Sequence, residues 1–183
     1  MTAYFRVHSA GLMRNGHGVL FAGRNGAGKS TLVTRLISEG FFLFSDDEIW
    51  IEHRTLLLHS PRTAVFLRND AWDLFPQYRD RFTRCNGDAW RLNPEDIAQD
   101  CRAVPSPAWG IIFLQPASGP LPLLTGVGQT EALSCLFDQC MNFADFGESG
   151  LALLVKLIRR VELFRLSIGN LDECARIISQ VLP

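Results

Sequence analysis

The sequence predicts an α/β domain with a mixed central sheet, and three observations carry that prediction. A short apolar run, Val19-Leu20-Phe21-Ala22, reads as a strand and leads directly into the glycine-rich stretch Gly23 to Thr31, which reads Gly-Arg-Asn-Gly-Ala-Gly-Lys-Ser-Thr. Behind it, Leu32, Val33, Leu36 and Ile37 recur at helical spacing, so strand, loop and helix stand in order. A second continuous apolar run, Phe41 to Phe44, then reads as a buried central strand, and strand and helix patterns continue to the C-terminus.

Taken in order, residues 4–8 and 17–22 read as two strands joined by the Arg14-Asn15-Gly16 turn. Gly40 stops the first helix. Ser45-Asp46-Asp47 ends the central strand, Ile49-Trp50-Ile51 and Leu56-Leu57-Leu58 suggest a hairpin, and Val65-Phe66-Leu67 a further strand. From Asn69 to Pro107 arginine, tryptophan and proline accumulate with weak periodicity, which predicts short helices and loops at the surface, with Trp72 and Trp90 tucked inward. Trp109 to Leu114 returns to core strand, and Pro116 to Pro122 is a turn bounded by Pro and Gly. Helical spacing over 130–143 places Leu133, Leu136, Phe137 and Cys140 on one face, and a more uniformly apolar helix follows at 149–160. Val161 to Ile168 reads as a strand, and residues 171–182 as a last helix capped by Asn170 with Glu173 three residues on.

The 183 residues suit one domain, 1–183, with a sizeable core, since domains run to about 100–200 residues. A net charge of −1 argues against general nucleic-acid binding. Cys85, Cys101, Cys135, Cys140 and Cys174 form no C-x-x-C pair and sit among apolar neighbours, as reduced thiols in a cytoplasmic protein do. No apolar run approaches the roughly 18 residues that span a bilayer, and the first residues lack a secretory signal's apolar stretch.

The loop at Gly23 to Thr31 is a full match to the phosphate-binding P-loop pattern. Backbone N–H groups must converge on the β- and γ-phosphates, and Gly26 and Gly28 allow the chain to come that close. Gly23, Arg24, Asn25, Gly26, Ala27, Gly28, Lys29, Ser30 and Thr31 are therefore expected to bind the nucleotide. Lys29, on an exposed loop, is expected to neutralise the phosphates, and Ser30 to offer its hydroxyl to Mg²⁺. The helix beginning near Lys29 adds the positive end of its dipole. Phosphoryl transfer also needs a metal carboxylate and a group to deprotonate the acceptor. Asp46 and Asp47 end the strand after the first helix, at the sheet edge that carries the loop; one is expected to contact the metal and the other to act as base, the assignment between them being open.

Several segments in register resemble the catalytic domain of HPr kinase/phosphorylase and its small relatives, themselves related to ATP-dependent phosphoenolpyruvate carboxykinases. The segments are Arg6-Val7-His8, Gly16-His17-Gly18-Val19-Leu20, the loop Gly23 to Ser30, Gly40, and Phe44-Ser45-Asp46-Asp47. The resemblance covers the first third of the chain closely; Ile111 to Leu114, Pro122-Leu123-Leu124 before Glu131-Ala132-Leu133, and Leu163 to Leu166 follow it more loosely. It implies that His8 lies near the transferred phosphate, that Lys29 and Ser30 hold phosphate and Mg²⁺, and that Asp46 and Asp47 supply base and metal contact. His17, His53 and His59 receive no role. Two departures stand out: residues 61–68, Pro-Arg-Thr-Ala-Val-Phe-Leu-Arg, lack the glutamate of the family's Glu-x-Arg-Gly-x-Gly signature, and no counterpart of its regulatory N-terminal domain is seen.

The leading expectation is an ATP- and Mg²⁺-dependent kinase acting on a hydroxyl of a protein, peptide or small molecule. The alternative is a nucleotide-sensing or assembly protein with little or no catalysis, which the missing glutamate favours. A GTPase is the weakest reading because no Asn-Lys-x-Asp string exists to select guanine; the base itself is not legible, and homo-oligomerisation is left open. The stretch Arg62 to Arg91 is either a surface for an anionic or aromatic acceptor or, more simply, a solvated face.

Overall fold

The computed structural model describes residues 4–85, 87–116, 119 and 121–183, with the side chains of Asn69 and Asp70 left aside. Its main sheet is mixed. β1 (Tyr4–Arg14) and β2 (His17–Ala22) form an antiparallel pair, followed by α1 (Lys29–Ile37), β3 (Phe42–Ser45), β4 (Glu48–Glu52) and β5 (Leu57–His59). β6 (Val65–Arg68), β7 (Thr83–Arg84) and β8 (Ala89–Leu92) precede β9 (Ser106–Gln115) and β10 (Leu123–Gly126). The chain ends with α2 (Gln129–Phe137), α3 (Phe143–Phe146), α4 (Glu148–Ile158), β11 (Glu162–Ser167) and α5 (Leu171–Val181).

The strand order is β10-β11-β9-β2-β1-β4-β5, with β3 also on β1 and β5 returning to β9. β9 runs parallel to β2 and β11. The path β1-β2-β9-β5-β4 closes on itself, so β1 is hydrogen-bonded along both halves of its length: Tyr4–His8 to β4, and Ser9–Arg14 to β2. This is why it extends well past residue 8. Ser9, Ala10 and Gly11 are small and carry little strand signal, but pairing with β2, and for Gly11 with β3 as well, holds them extended.

The period of two along the strands separates two cores. Ala10, Leu12, Val19, Phe21 and Ile112 pack with α1 and α5; Phe5, Val7, Leu20, Ile111 and Phe113 pack with α2 and α4. The stripe of α1 is as its spacing predicts: Leu32, Val33, Leu36 and Ile37 are fully buried, each burial stabilising by about 1.5–3 kcal/mol. Gly40, at φ +89°, closes the helix end, its N–H donating to Ile37 O and that of Phe41 to Leu36 O. Asn170 caps α5 by accepting from Glu173 N–H at 3.1 Å.

Two expectations are corrected. The helix over 130–143 ends at Phe137, and Gln139 to Met141 run beside β1 instead: His8 N–H donates to Gln139 O (2.8 Å) and Met141 N–H to Arg6 O (2.9 Å). An unpaired strand edge offers these residues more hydrogen bonds than another helical turn, leaving Cys140 off the helix and Phe137 exposed on a face whose buried residues are Ala132 and Leu136. The stretch 69–107 contains, besides short 3-10 turns, the strands β7 and β8, which join β6 in a separate three-stranded sheet. Strands of two and four residues are too short to show alternation. Trp72 and Trp90 lie against each other there, ring centroids 4.7 Å apart and half-buried. Of the turn expected over 116–122, residues 117, 118 and 120 lie outside the described residues. Among the described residues no helix is long and apolar enough to cross a membrane.

Candidate functional site

Strand register brings three chain segments together at His8. β2 leaves β1 after the pair Ser9–Ala22 and runs into the glycine-rich loop; β3 ends with Ser45 opposite Gly11; β4 begins with Glu48 opposite His8. The loop and the Asp46-Asp47 turn therefore both pass His8. Alternation places the His8 side chain on the face of Ala10 and Leu12, the face covered by α1.

In the loop, Gly26 (φ +81°) and Gly28 (φ +86°) take left-handed conformations that side chains resist, and a Cβ on Gly28 would lie 2.9 Å from Ile168 Cδ1. No side chain caps the N-terminus of α1, so its first N–H groups are left to the cavity, and the helix dipole adds positive potential there. Lys29 is not on an exposed loop as the sequence suggests; it is the first residue of α1 and only 7% exposed. Its ammonium is drawn back over the loop, donating to Gly23 O at 2.7 Å and to His8 Nε2 at 3.2 Å. Burial lowers the Lys29 pKa from its ordinary value, with Asp47 and then Asp46 opposing that shift.

The two aspartates sit in different surroundings. Asp46 is 4% exposed; its Oδ2 accepts from Phe66 N–H at 3.0 Å. Its Oδ1 is buried without a hydrogen bond of ordinary geometry, although the Ser30 hydroxyl is close enough to favour the ionised form. Burial nevertheless pushes the Asp46 carboxyl up to about 6, the Phe66 and Ser30 contacts and Lys29 pulling down and the Asp47 charge pushing further up. The Asp47 side chain is 71% exposed and is held by His8, whose Nδ1 lies 3.1 Å from Asp47 Oδ1. His8 Nε2 lies 3.2 Å from both Lys29 Nζ and Asn25 Oδ1: without a proton it accepts from the ammonium, and with one it donates to the Asn25 oxygen.

These groups line a cavity of about 430 Å³. Of the loop residues named from sequence, Asn25, Gly26, Gly28, Lys29, Ser30 and Thr31 line it, together with His8, Asp46 and Asp47. Gly23, Arg24 and Ala27 form the loop's base: the carbonyls of Gly23 and Arg24 face the Lys29 ammonium, and Ala27 N–H donates to Arg24 O. The opposite wall is Thr63, Ala64, Phe66, Leu67, Arg68 and Ala71, within the stretch Arg62 to Arg91 but not singled out residue by residue from sequence. Thr63 is tied to the end of β3 through Ser45 Oγ (3.1 Å), and its carbonyl accepts from Arg102, which Glu95 grips through both carboxylate oxygens. The alternation Val65-Phe66-Leu67-Arg68 was the available signal for this wall, but nothing local aims it at Asp46.

The donor set fits a hard cation shared with a bound anion. Among the described residues no three His, Cys, Asp or Glu side chains could hold a metal by themselves, whereas the orphaned Asp46 Oδ1 beside Ser30 leaves ligand positions for phosphate oxygens and water, as Mg²⁺ sites do.

No protein-family model and no curated protein matches the chain. Among solved structures it is similar to the HPr(Ser) kinase/phosphatase from Coxiella burnetii, at 16% identity and a TM-score of 0.50, over 96% of this chain and 87% of that one. The likeness is one of fold: a mixed α/β arrangement of the HPr-kinase kind, reached at low sequence identity.

Proposed function

We propose that the chain transfers the γ-phosphoryl group of ATP, with Mg²⁺, to a hydroxyl of an acceptor molecule. The observation that carries this reading is the convergence at His8 of an uncapped, glycine-rich helix N-terminus with two aspartates in unlike surroundings. The backbone N–H groups of the loop and α1 bind the phosphates, and Lys29 moves from Gly23 O to neutralise them. Asp46 and Ser30 hold the metal, whose charge, when bound, offsets that of the β- and γ-phosphates. Asp47 is the base: His8 orients it through Oδ1 and its other oxygen accepts the acceptor's hydroxyl proton. Catalysis on this reading is chiefly positioning and charge neutralisation.

Single-turnover transfer from γ-labelled ATP tests it, with ATP hydrolysis as the readout until an acceptor is in hand. Asp47→Asn keeps size and exposure but removes the base, and is expected to slow transfer at least about a hundredfold while nucleotide still binds. Wild-type transfer in that variant would favour the second reading, a nucleotide-binding regulatory or assembly protein. That reading draws on one observation: among the described residues Asp46 and Asp47 are the carboxylates that line the cavity, and the opposite wall adds none.

A further inference from the structure

We infer that the acceptor is an acidic peptide segment, bound over the exposed face of β6 and β8 with its carboxylates on Arg68 and Arg91. The inference rests on the phosphoryl-transfer reading and names the substrate class for that same site.

β6 pairs with β8 along one edge only. Phe66 N–H points away from β8, to Asp46 Oδ2, and by the two-residue period of a strand the N–H of Arg68 points the same way. Ala64, Phe66, Leu67 and Arg68 all line the cavity, so it opens beside β6 onto the face that carries Phe66 and Arg68. Since the Phe66 N–H already donates to Asp46, an extended strand of peptide lies over this face rather than along the edge, where it carries a hydroxyl side chain toward Asp47.

The register decides which side chains flank such a strand. Phe66 lies opposite Arg91, Arg68 opposite Ala89 and Thr83 opposite Arg91, so Phe66, Arg68 and Arg91 share one face while Val65, Leu67 and Leu92 are buried beneath the other. Phe66 is 42% exposed, a ring available for apolar contact. Of the other arginines in this segment, Arg79 pairs with Asp73, Arg81 with Asp96 and Arg102 with Glu95, while Arg84 lies over the Trp90 ring and Arg62 acts on Glu95 through its charge. Arg68 and Arg91 form no ion pair with a described residue, and Arg91 donates instead to the neutral Asn93 Oδ1 at 3.0 Å. Two exposed guanidinium groups without carboxylate partners among the described residues, on the face beside the site, select carboxylate partners, which they can bind two oxygens at a time. Arg91 stands outside the cavity lining, so a ligand reaching both arginines is longer than the cavity. That favours a peptide over a small hydroxy acid.

The test uses three nine-residue probes, a central serine flanked by Glu, Gln or Lys, with binding read by fluorescence anisotropy in Mg²⁺ and a non-hydrolysable ATP analogue. The Glu peptide is expected to bind about tenfold more tightly than the Gln peptide, and less so at high salt. Arg68→Glu/Arg91→Glu is expected to invert the order toward the Lys peptide, and the milder Arg68→Gln/Arg91→Gln to erase it. Equal binding of all three peptides, or an unchanged order in the charge-reversed protein, overturns the inference while Lys29-dependent nucleotide binding keeps the parent reading intact. Phosphorylation of free serine or glycerate without peptide binding overturns it likewise. Absence of nucleotide binding in the wild-type protein removes both.

Discussion

The two walls of the cavity are built on different principles. The loop wall, Gly23 to Thr31, is contiguous in sequence and satisfies its own charge: the Lys29 ammonium rests on Gly23 O and His8. The opposite wall, Thr63 to Ala71, is held from a distance, by Arg102 on Thr63, by Ser45, and by the bond from Phe66 N–H to Asp46, and it leaves Arg68 without a carboxylate partner among the described residues. A wall that neutralises itself is poised for a ligand that can outcompete its internal bonds, as a triphosphate with several oxygens does. A wall with unspent positive charge is suited to a ligand that brings one or two carboxylates. On the proposed function, nucleotide takes the first wall and acceptor the second.

The largest effect that could break this contrast is expected from Lys29→Ala. Nucleotide affinity should fall at least about a hundredfold by titration calorimetry, on the scale of a lost charge-assisted contact to phosphate. Unchanged affinity would mean that the phosphates sit on the Arg68 side and the assignment is reversed.

A smaller effect comes from the residue joining the walls. The folded Asp46 pKa is raised from the ordinary 3.8 to about 6, so the native state binds the proton more tightly than the unfolded chain does. Stability of the metal-free protein is therefore expected to be greatest below pH 4 as far as this group is concerned, to fall as pH rises through 6, and to stay lowered above it. Asp46→Asn should remove that slope and raise neutral-pH stability by on the order of 2–3 kcal/mol, read from denaturant titrations across pH. Mg²⁺ with nucleotide should stabilise the wild type above pH 6 but stabilise the variant less. A wild-type stability profile flat between pH 4 and 6 would show that Asp46 is not held as described.

The smallest effect sharpens the comparison by sparing both walls. Gly40 ends α1 at φ +89°, with open space where a Cβ would go, so Gly40→Ala carries backbone strain alone. It should cost about 1 kcal/mol, lowering the melting midpoint by about 2–4 °C, with nucleotide affinity unchanged. A matching loss of affinity would show that the loop wall depends on the far end of its helix.

The strand-loop-helix unit was legible because its signals lie within a few residues of one another: the spacing of Leu32, Val33, Leu36 and Ile37, the glycines at 26, 28 and 40, and the apolar run before the Asp pair. The helix expected over 130–143 was misjudged for the opposite reason. The bonds that end it, from His8 N–H to Gln139 O and from Met141 N–H to Arg6 O, join residues far apart in the chain. In the small sheet the strand at Val65-Phe66-Leu67 is legible, but its partners β7 and β8 are too short to show a period, and the place of Phe66 and Arg68 in the cavity wall depends on pairings and contacts between residues far apart in the chain.

The residues proposed to carry the chemistry can be read from the chain alone: a loop that only glycines can bend, a lysine and serine in fixed order behind it, and two adjacent carboxylates at a strand end. That those carboxylates differ, Asp46 buried against Phe66 N–H and Asp47 exposed on His8, follows from the packing of distant segments. Loop and helix form from local backbone preference and periodicity, which a short window of sequence contains. Desolvation depends on what the rest of the chain packs around a group, and no window contains that.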